Sequence, residues 1–454
     1  MGASQLPLHY LLALKTPYSP LQLATRCSWE TLNRAHQGLG RVVTLLFYLH
    51  AGFYLNFFVR AHVLAKRIRD WDVVLGLVAT VAFTVVGTTA LAWVRKRNYR
   101  LFYRVHVALA SLLLPVLYFH VHHIRLYIWQ TLAVYVLHFV TRVLSEKSVS
   151  ATVALVPGTT DLLDIQVLLS GKTKLRKWEP GQHVYLALQS PGLLSRRVKT
   201  KNPFTIASLP LEDGKLRLIA RVLDGNTASL AKKAGSGRSA LVPLTIEGPY
   251  GLTTHSSSLL GYSRVLFVAG GVGATFVMTL YRSLLRDLSP SAGSRRRQNV
   301  KFVWVVREAE ETRWAIPADE KAEAGEIKGI VERLDVYVTR GSGGAIVDEG
   351  DDSSEKAEAE RLDDDAEGVE MQHLLPAGSG DAASSAPQDN KLAVKHGRPD
   401  IRDMVKQTFA GTAEKDKVAI FVCGPKGMAR DVRDEVGRWI EKREVWFWSE
   451  GFGL

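Results

Sequence analysis

Four long apolar runs crowd the first third of the chain and limit its fold more than any other feature. Val42 to Val59, Val73 to Val94, Val105 to Val121 and Leu126 to Leu144 are 17 to 22 residues long and nearly free of charge. A helix rises about 1.5 Å per residue, so about 20 apolar residues cross the hydrocarbon layer of a bilayer. Each run therefore predicts a membrane helix. After Ser145 the composition becomes that of a soluble protein. At 454 residues there is room for two or three domains.

Basic residues at the helix ends set the expected orientation. If the first helix runs outward, the inner flanks hold Lys15, Arg26, Arg34, Arg41, Arg95, Lys96, Arg97, Arg100, Arg104, Arg142 and Lys147. The outer loops hold only Arg60, Lys66, Arg67, Arg69 and Arg125. That asymmetry puts the soluble part in the cytosol. The net charge of +13 does not gather into a stripe with interleaved aromatics, which argues against nucleic acid. Membrane flanks and a phosphate-bearing cofactor account for it instead. Two cysteines, Cys27 and Cys423, exclude a disulfide framework and a cysteine-held metal or iron–sulfur site. No cleavable secretory signal is expected at the start.

Two pairs of histidines lie on or beside the apolar runs with one spacing: His36 with His50, and His106 with His120. At about 100° per residue, fourteen residues return to the same helix face, roughly 21 Å further along the axis. Two such helices side by side would stack two bis-histidine sites across the membrane, a ladder for haem. A lone histidine in an apolar helix more often packs or lines a polar cavity. The repeated spacing points the other way.

In the soluble half, residues 151 to 255 alternate short β-like runs with turns: Ala151 to Val156, Leu162 to Leu169, His183 to Leu188, Lys215 to Val222 and Ala240 to Glu247. Sparse helical signal there predicts a small antiparallel β-barrel. From Ser263 the pattern is strand, glycine turn, helix, strand, which reads as an α/β domain with a parallel sheet. Its candidate buried strands are Leu266 to Ala269, Lys301 to Val306, Val331 to Val338 and Val418 to Cys423. Residues 341 to 398 are polar and almost lack aromatics, and Asp348 to Glu370 is strongly acidic. Such a stretch buries too little apolar surface to offset its ordering entropy, and it is expected to be a disordered insertion. The expected domains are 1–147, membrane-spanning and α-helical; 148–257, the barrel; and 258–454, the α/β domain.

Gly270-Gly271-Val272-Gly273-Ala274-Thr275 follows an apolar strand and opens a helix. Glycines let backbone approach a pyrophosphate, and a helix N-terminus favours its charge. Taken alone, the run is also an ordinary tight turn. Phe421-Val422-Cys423-Gly424-Pro425 forms a second strand-end glycine turn, and the two outline a ligand crevice. Asn202 to Ser208 sets an aromatic, hydroxyls and backbone at a strand edge of the barrel. Arg221, six residues before Thr227, offers a guanidinium and a hydroxyl suited to a pyrophosphate. A surface arginine alone is usually only solvated.

The ordered motifs "HQGLGR", "WEPGQHVYL", "NPFTIAS", "IEGPYG", "VLFVAGGVGAT", "FVCGPKGM" and "SEGFGL" resemble those of the fungal ferric reductase family, a branch of the group that includes NADPH oxidases. The resemblance runs from about residue 5 to the C-terminus and lapses in the acidic insertion. It implies FAD, NADPH and two b-type haems. By resemblance His36 and His106 hold the inner haem iron, and His50 and His120 the outer. His122 and His123 lie just beyond the outer site, where they could shift that assignment or meet metal at the outer surface. His138 is read as a packing residue. The flavin motif corresponds to Asn202, Pro203, Phe204 and Thr205, with Asn202 where many members have His. Arg221, Asn226 and Thr227 match positions that hold the FAD pyrophosphate. Gly270, Gly271, Gly273 and Thr275, with Cys423, Gly424 and Pro425, match the NADPH site, and Arg307 is the candidate for the 2′-phosphate. Glu450 and Phe452 match a segment in which an aromatic covers the flavin until nicotinamide displaces it.

The resemblance also implies six core helices, whereas this chain begins partway along the second, near Leu6 to Leu14. Either two helices are missing from the sequence as given or this is a reduced form; a four-helix version keeps all four ligands but loses walls around the haems. The implied activity is reduction of chelated Fe³⁺, and also Cu²⁺, in support of iron uptake. Electrons come from cytosolic NADPH across the plasma membrane, or alternatively the vacuolar membrane. The implied partners are the metal acceptor and membrane lipid. The rival readings are a superoxide-producing NADPH oxidase and an inactive membrane component.

Overall fold

The computed structural model describes residues 2–451 apart from 17–18, 26, 28, 169–176, 190–200, 210–214, 224, 236–238, 252–257, 290–297, 317–328, 341–393, 414–415 and 441–442. The chain begins with a helical bundle: α1 (Leu6–Leu12), α2 (Pro20–Thr25), α3 (Trp29–Arg60), α4 (Leu64–Arg67), α5 (Trp71–Thr89), α6 (Ala92–Arg97), α7 (Tyr99–His120) and α8 (Arg125–Ser145). Four of these segments, Thr31–Arg60, Trp71–Thr89, Leu101–His120 and His122–Ser145, are long and apolar enough to cross a bilayer. Their most apolar windows are only 11–17% buried inside the protein, so their apolar faces need a non-aqueous surrounding. The run Val73 to Val94 is not one helix. It breaks after Thr89 and restarts at Ala92, where the basic residues of α6 begin.

At 32 residues, α3 is about 48 Å long, well beyond a hydrocarbon layer of about 30 Å. The bundle core gathers Leu6, Val43, Ala79, Phe83, Leu113, Leu117 and Ile128. Phe47 stacks on Phe83 at 4.5 Å between ring centroids. The Tyr10 hydroxyl donates to the Ala110 carbonyl at 2.6 Å, tying short α1 to α7. Asn98 caps α7 by accepting from the Leu101 amide at 3.0 Å.

The barrel consists of β1 (Glu146–Leu155), β2 (Leu162–Leu168), β3 (His183–Leu188), β4 (Asn202–Thr205), β5 (Leu216–Arg221) and β6 (Ala240–Tyr250), with helix α9 (Asn226–Ala234) against it. Its strands pair antiparallel in the order β4-β3-β6-β1-β2-β5. A bridge from Ile206 to Leu218 joins the two edge strands and closes the sheet. The alternating inward residues Ala151, Val153, Ile165, Val167, Val184, Leu186, Leu218 and Ile246 fill it.

The third unit is a six-stranded, all-parallel sheet: β7 (Arg264–Gly270), β8 (Asn299–Val306), β9 (Leu334–Val338), β10 (Val394–His396), β11 (Val418–Cys423) and β12 (Val445–Glu450), in the order β10-β9-β8-β7-β11-β12. Helices α10 (Ala274–Leu288), α11 (Ile401–Phe409) and α12 (Lys426–Ile440) cover it. α10 packs on one face with Phe267, Phe302 and Trp304, while α11 and α12 enclose Leu266, Val268, Ile420 and Val422 on the other.

One boundary is corrected. The polar stretch read as an insertion to residue 398 ends earlier, because Val394–His396 joins the sheet beside β9. Composition hid it, since backbone pairing asks nothing of side-chain hydropathy. Lys395 adds an ion pair to Asp335 at 3.1 Å. The acidic run Asp348 to Glu370 lies outside the described residues.

Candidate functional site

Three places in the fold assemble the residues singled out above. The first lies within the bundle. His36 on α3 faces His106 on α7, with ring centroids 6.4 Å apart and planes crossed at 68°. His50 and His120, on the same two helices, repeat this at 6.4 Å and 88°. An ion held between two imidazoles at about 2 Å from each nitrogen spaces the ring centroids by roughly 6 Å, so the spacing of each pair is that of two imidazoles that could hold one metal ion.

Outer-shell bonds point the same way. His120 Nδ1 donates to the Asp72 carbonyl at 2.6 Å, and His36 Nδ1 donates to the His9 carbonyl at 3.0 Å. A carbonyl carries no proton, so each Nδ1 must, and Nε2 is left with its lone pair for a metal. Among the described residues no three His, Cys, Asp or Glu side chains gather around one point. His122 and His123 contact each other, with centroids 5.5 Å apart. His138 keeps Nε2 buried with no hydrogen-bond partner among the described residues.

The second place is the barrel edge. β4 carries Asn202, Pro203, Phe204 and Thr205, with Phe204 opposite Val184 and Thr205 opposite His183. Asn226 at the start of α9 donates to the Asn202 side-chain oxygen at 2.8 Å, joining two expected flavin contacts. Thr227 is buried, and its hydroxyl accepts from the Leu223 amide at 2.9 Å. Arg221 is turned towards Asp161 and Glu311, the latter at 3.0 Å, rather than into open solvent. Burial works against its charge, but Glu311 and Asp161 together raise its pKa.

The third is the crevice at the carboxyl ends of β7 and β11. Gly270, Gly271 and Gly273 lead into α10, and Gly271 takes φ +52°. A Cβ on Gly273 would sit 2.3 Å from the Cys423 carbonyl oxygen, and one on Gly424 would sit 2.9 Å from the Gly270 nitrogen. The two loops are thus locked backbone to backbone. Trp304 Nε1 donates to the Gly271 carbonyl at 3.0 Å, and Thr275 Oγ1 donates to the Val272 carbonyl at 2.9 Å. Gly271 also reaches the barrel, since a Cβ there would lie 3.7 Å from the Arg221 guanidinium. Cys423 is fully buried, and burial first, then Glu450, pushes its thiol up, so it stays protonated at neutral pH. Glu450 pairs with Cys423 across β11 and β12, and Pro425 packs beside Gly270. Arg307 is exposed just past β8, with Arg340 bonded to its carbonyl at 2.9 Å. Phe452 lies outside the described residues.

The junction between bundle and barrel escaped sequence reasoning. Glu247 on β6 binds Arg142 of α8 at 3.3 Å, Lys201 at 2.7 Å and the Tyr250 hydroxyl at 2.5 Å. Burial pushes this carboxyl up, but Arg142, Lys201 and Tyr250 more than offset that and hold it below its usual range. Lys15 bonds the Tyr185 hydroxyl and sits 3.9 Å above the Trp29 ring at the start of α3. Tyr185 lies edge-on to Tyr250 at 5.4 Å, and Tyr250 stacks on His183 at 5.8 Å. The sequence marks Lys15 and Arg142 as inner-flank charges and the barrel segments through the "IEGPYG" and "WEPGQHVYL" motifs, without saying that they meet.

Fold and site together define a membrane bundle fused to a two-domain module with a flavin-type barrel and a dinucleotide-type crevice. Family models match in the same order: "Ferric reductase like transmembrane component" over residues 1–117, "FAD-binding domain" over 145–254 and "Ferric reductase NAD binding domain" over 262–437. The chain belongs to the ferric reductase family. It is similar to a probable ferric reductase transmembrane component of Eremothecium gossypii, 29% identical over 69% of this chain and 47% of the relative. Ferric/cupric reductase transmembrane component 1 of Candida albicans is 26% identical over 69% of this chain and 40% of its own length. A probable metalloreductase of Yarrowia lipolytica is 26% identical over 93% of this chain and 79% of its own. The chain thus spans under half the length of the first two relatives.

Proposed function

We propose that the protein is a transmembrane ferric-chelate reductase, drawing electrons from cytosolic NADPH and delivering them to Fe³⁺, or Cu²⁺, on the far side of the membrane. The reading divides the chain into a haem-binding part (1–147), a FAD-binding part (148–257) and an NADPH-binding part (258–454). Bound FAD and haem would supply the change from two-electron hydride to one-electron chemistry. The residues of the chain bind and orient. His36 with His106, and His50 with His120, would ligate the inner and outer haem irons. Asn202, Pro203, Phe204 and Thr205 would edge the flavin, with Arg221, Asn226 and Thr227 towards its pyrophosphate. Arg221 would exchange one carboxylate partner for a phosphate oxygen.

Gly270, Gly271, Gly273, Thr275, Gly424 and Pro425 would line the nicotinamide crevice, and exposed Arg307 would meet the 2′-phosphate. Cys423, Glu450 and Phe452 would flank the nicotinamide and flavin rings. The observation that carries the reading is the pair of crossed imidazoles, repeated at the same 6.4 Å on two membrane helices. Its inner member lies on the side where α8 runs into the barrel, which supports a cytosolic module feeding the inner site. The proposed setting is the plasma membrane, with a role in iron uptake.

The test is NADPH-driven reduction of a ferric chelate by the purified, haem-loaded protein, with and without superoxide dismutase. Reduction that persists with the dismutase supports the reading. Reduction abolished by it indicates an oxidase, and a missing Soret band with flavin still bound indicates a haem-free component.

A further inference from the structure

His9 on α1 is tied to His36 more closely than any other ring is. The two imidazoles stack nearly flat, with centroids 4.0 Å apart and planes at 8°. Their polar atoms are exchanged reciprocally. His9 Nε2 donates to the His36 carbonyl at 3.2 Å, and His36 Nδ1 donates to the His9 carbonyl at 3.0 Å. His9 Nε2 is thereby committed to a carbonyl and is not the atom left for a metal.

Gly40 makes this seat. A Cβ there would lie 2.9 Å from His9 Nε2, so only glycine lets the ring reach the carbonyl one turn back. The outer site repeats the device. His120 donates to the Asp72 carbonyl at 2.6 Å, and a Cβ on Gly76, one turn on, would lie 2.8 Å from His120 Cε1. In both helices the glycine carbonyl then accepts from a threonine a further turn along, Thr44 or Thr80, each at 2.8 Å. Acceptor, glycine and threonine recur at steps of four as His36-Gly40-Thr44 and Asp72-Gly76-Thr80.

We propose that His9 is a positioning residue of the inner bis-histidine site, seated by Gly40 so that its ring fixes the plane of His36, whose tautomer the His9 backbone carbonyl sets. The proposal rests on the haem reading above. A ring clamped between a stacked neighbour and a carbonyl cannot rotate about its χ2, so its lone pair stays aimed at the metal before it binds. Groups in this outer position typically contribute 10–100-fold to metal affinity.

The test uses the full-length, detergent-purified protein and three variants, His9→Ala, His9→Phe and Gly40→Ala, with Gly76→Ala as the outer counterpart. The readouts are haem-to-protein ratio, the low-spin EPR signals that report ligand-plane angles, and a redox titration. Bound flavin reports folding. Expected is a loss of inner-haem affinity of roughly tenfold or more in His9→Ala and Gly40→Ala, with an altered inner EPR signal and an unchanged outer one. His9→Phe, which keeps a flat ring but no donor, falls between. Gly40→Ala is informative on its own, because alanine favours the helix by about 1 kcal/mol while evicting His9. Two haems with both signals and both potentials unchanged in His9→Ala and Gly40→Ala would overturn the proposal. A wild-type protein that binds no haem would overturn the haem reading and this proposal with it.

Discussion

The membrane bundle and the parallel sheet both bring distant residues to one point, but with opposite resources. In the sheet, ladder bonds set the register, and Ala269 and Cys423 lie opposite each other before any side chain is considered. The glycine loops that follow touch through backbone atoms and leave no space for a methyl group. Between membrane helices there is no ladder. His36 meets His106, and His50 meets His120, through helix phase and a few ring-to-carbonyl bonds. The sheet site should therefore fail when an atom is added, and the bundle sites when one side chain is removed.

The largest expected effect is in the bundle. His120→Ala should lower bound haem from about two per chain to about one, read from the Soret band, with flavin content unchanged. Retention of both haems would mean that another group, such as His122 or His123, ligates there. Next comes the sheet: Gly273→Ala must push against the Cys423 carbonyl and should cost about 3 kcal/mol. Thermal unfolding of the soluble half would show this, together with loss of flavin reduction by NADPH and intact haem content. Haem loss in that variant would break the contrast between the two regions.

At the junction, Glu247→Gln leaves Arg142 and Lys201 without their shared carboxylate. Because the Arg142 side chain is 38% exposed, the cost should be nearer 2 kcal/mol than that of a dry pair. Slower flavin-to-haem transfer in stopped-flow, with both cofactors retained, is the expected result.

The smallest effect is a pH dependence. Burial first, and Lys15 second, lower the His183 pKa from 6.5 to about 4. Across that window the unfolded chain binds a proton that the folded one refuses, so barrel stability should fall as pH drops from about 6.5 towards 4. Urea unfolding at about pH 7 and about pH 5 should show this slope, and His183→Gln should flatten it.

The four long helices were legible because apolar length is a local property, and the same-face spacing of His36/His50 and His106/His120 needs only helix geometry. Barrel strands such as His183–Leu188 and the buried Val418–Cys423 were legible for similar reasons. What escaped depends on tertiary partners. Nothing in "LPLHYLL" says that His9 lies on a ring 27 residues away. The strand Val394–His396 is polar and exists through its pairing with β9, and Val445–Glu450 through its pairing with β11. Arg221 was matched to a phosphate by spacing, and only folding revealed Glu311, 90 residues on, as its present neighbour.

Helix α8 ends at Ser145 and strand β1 begins at Glu146, with no intervening linker. A tethered domain finds its target by diffusing within the reach of its leash, and its effective concentration falls as the leash lengthens. Here the leash has zero length, and the helix acts as an axle on which the barrel is mounted. Any tilt or roll imposed on α8 by bilayer thickness would swing the barrel as one piece. The separation of the two halves is therefore fixed by the join itself, a mechanical property rather than a chemical one.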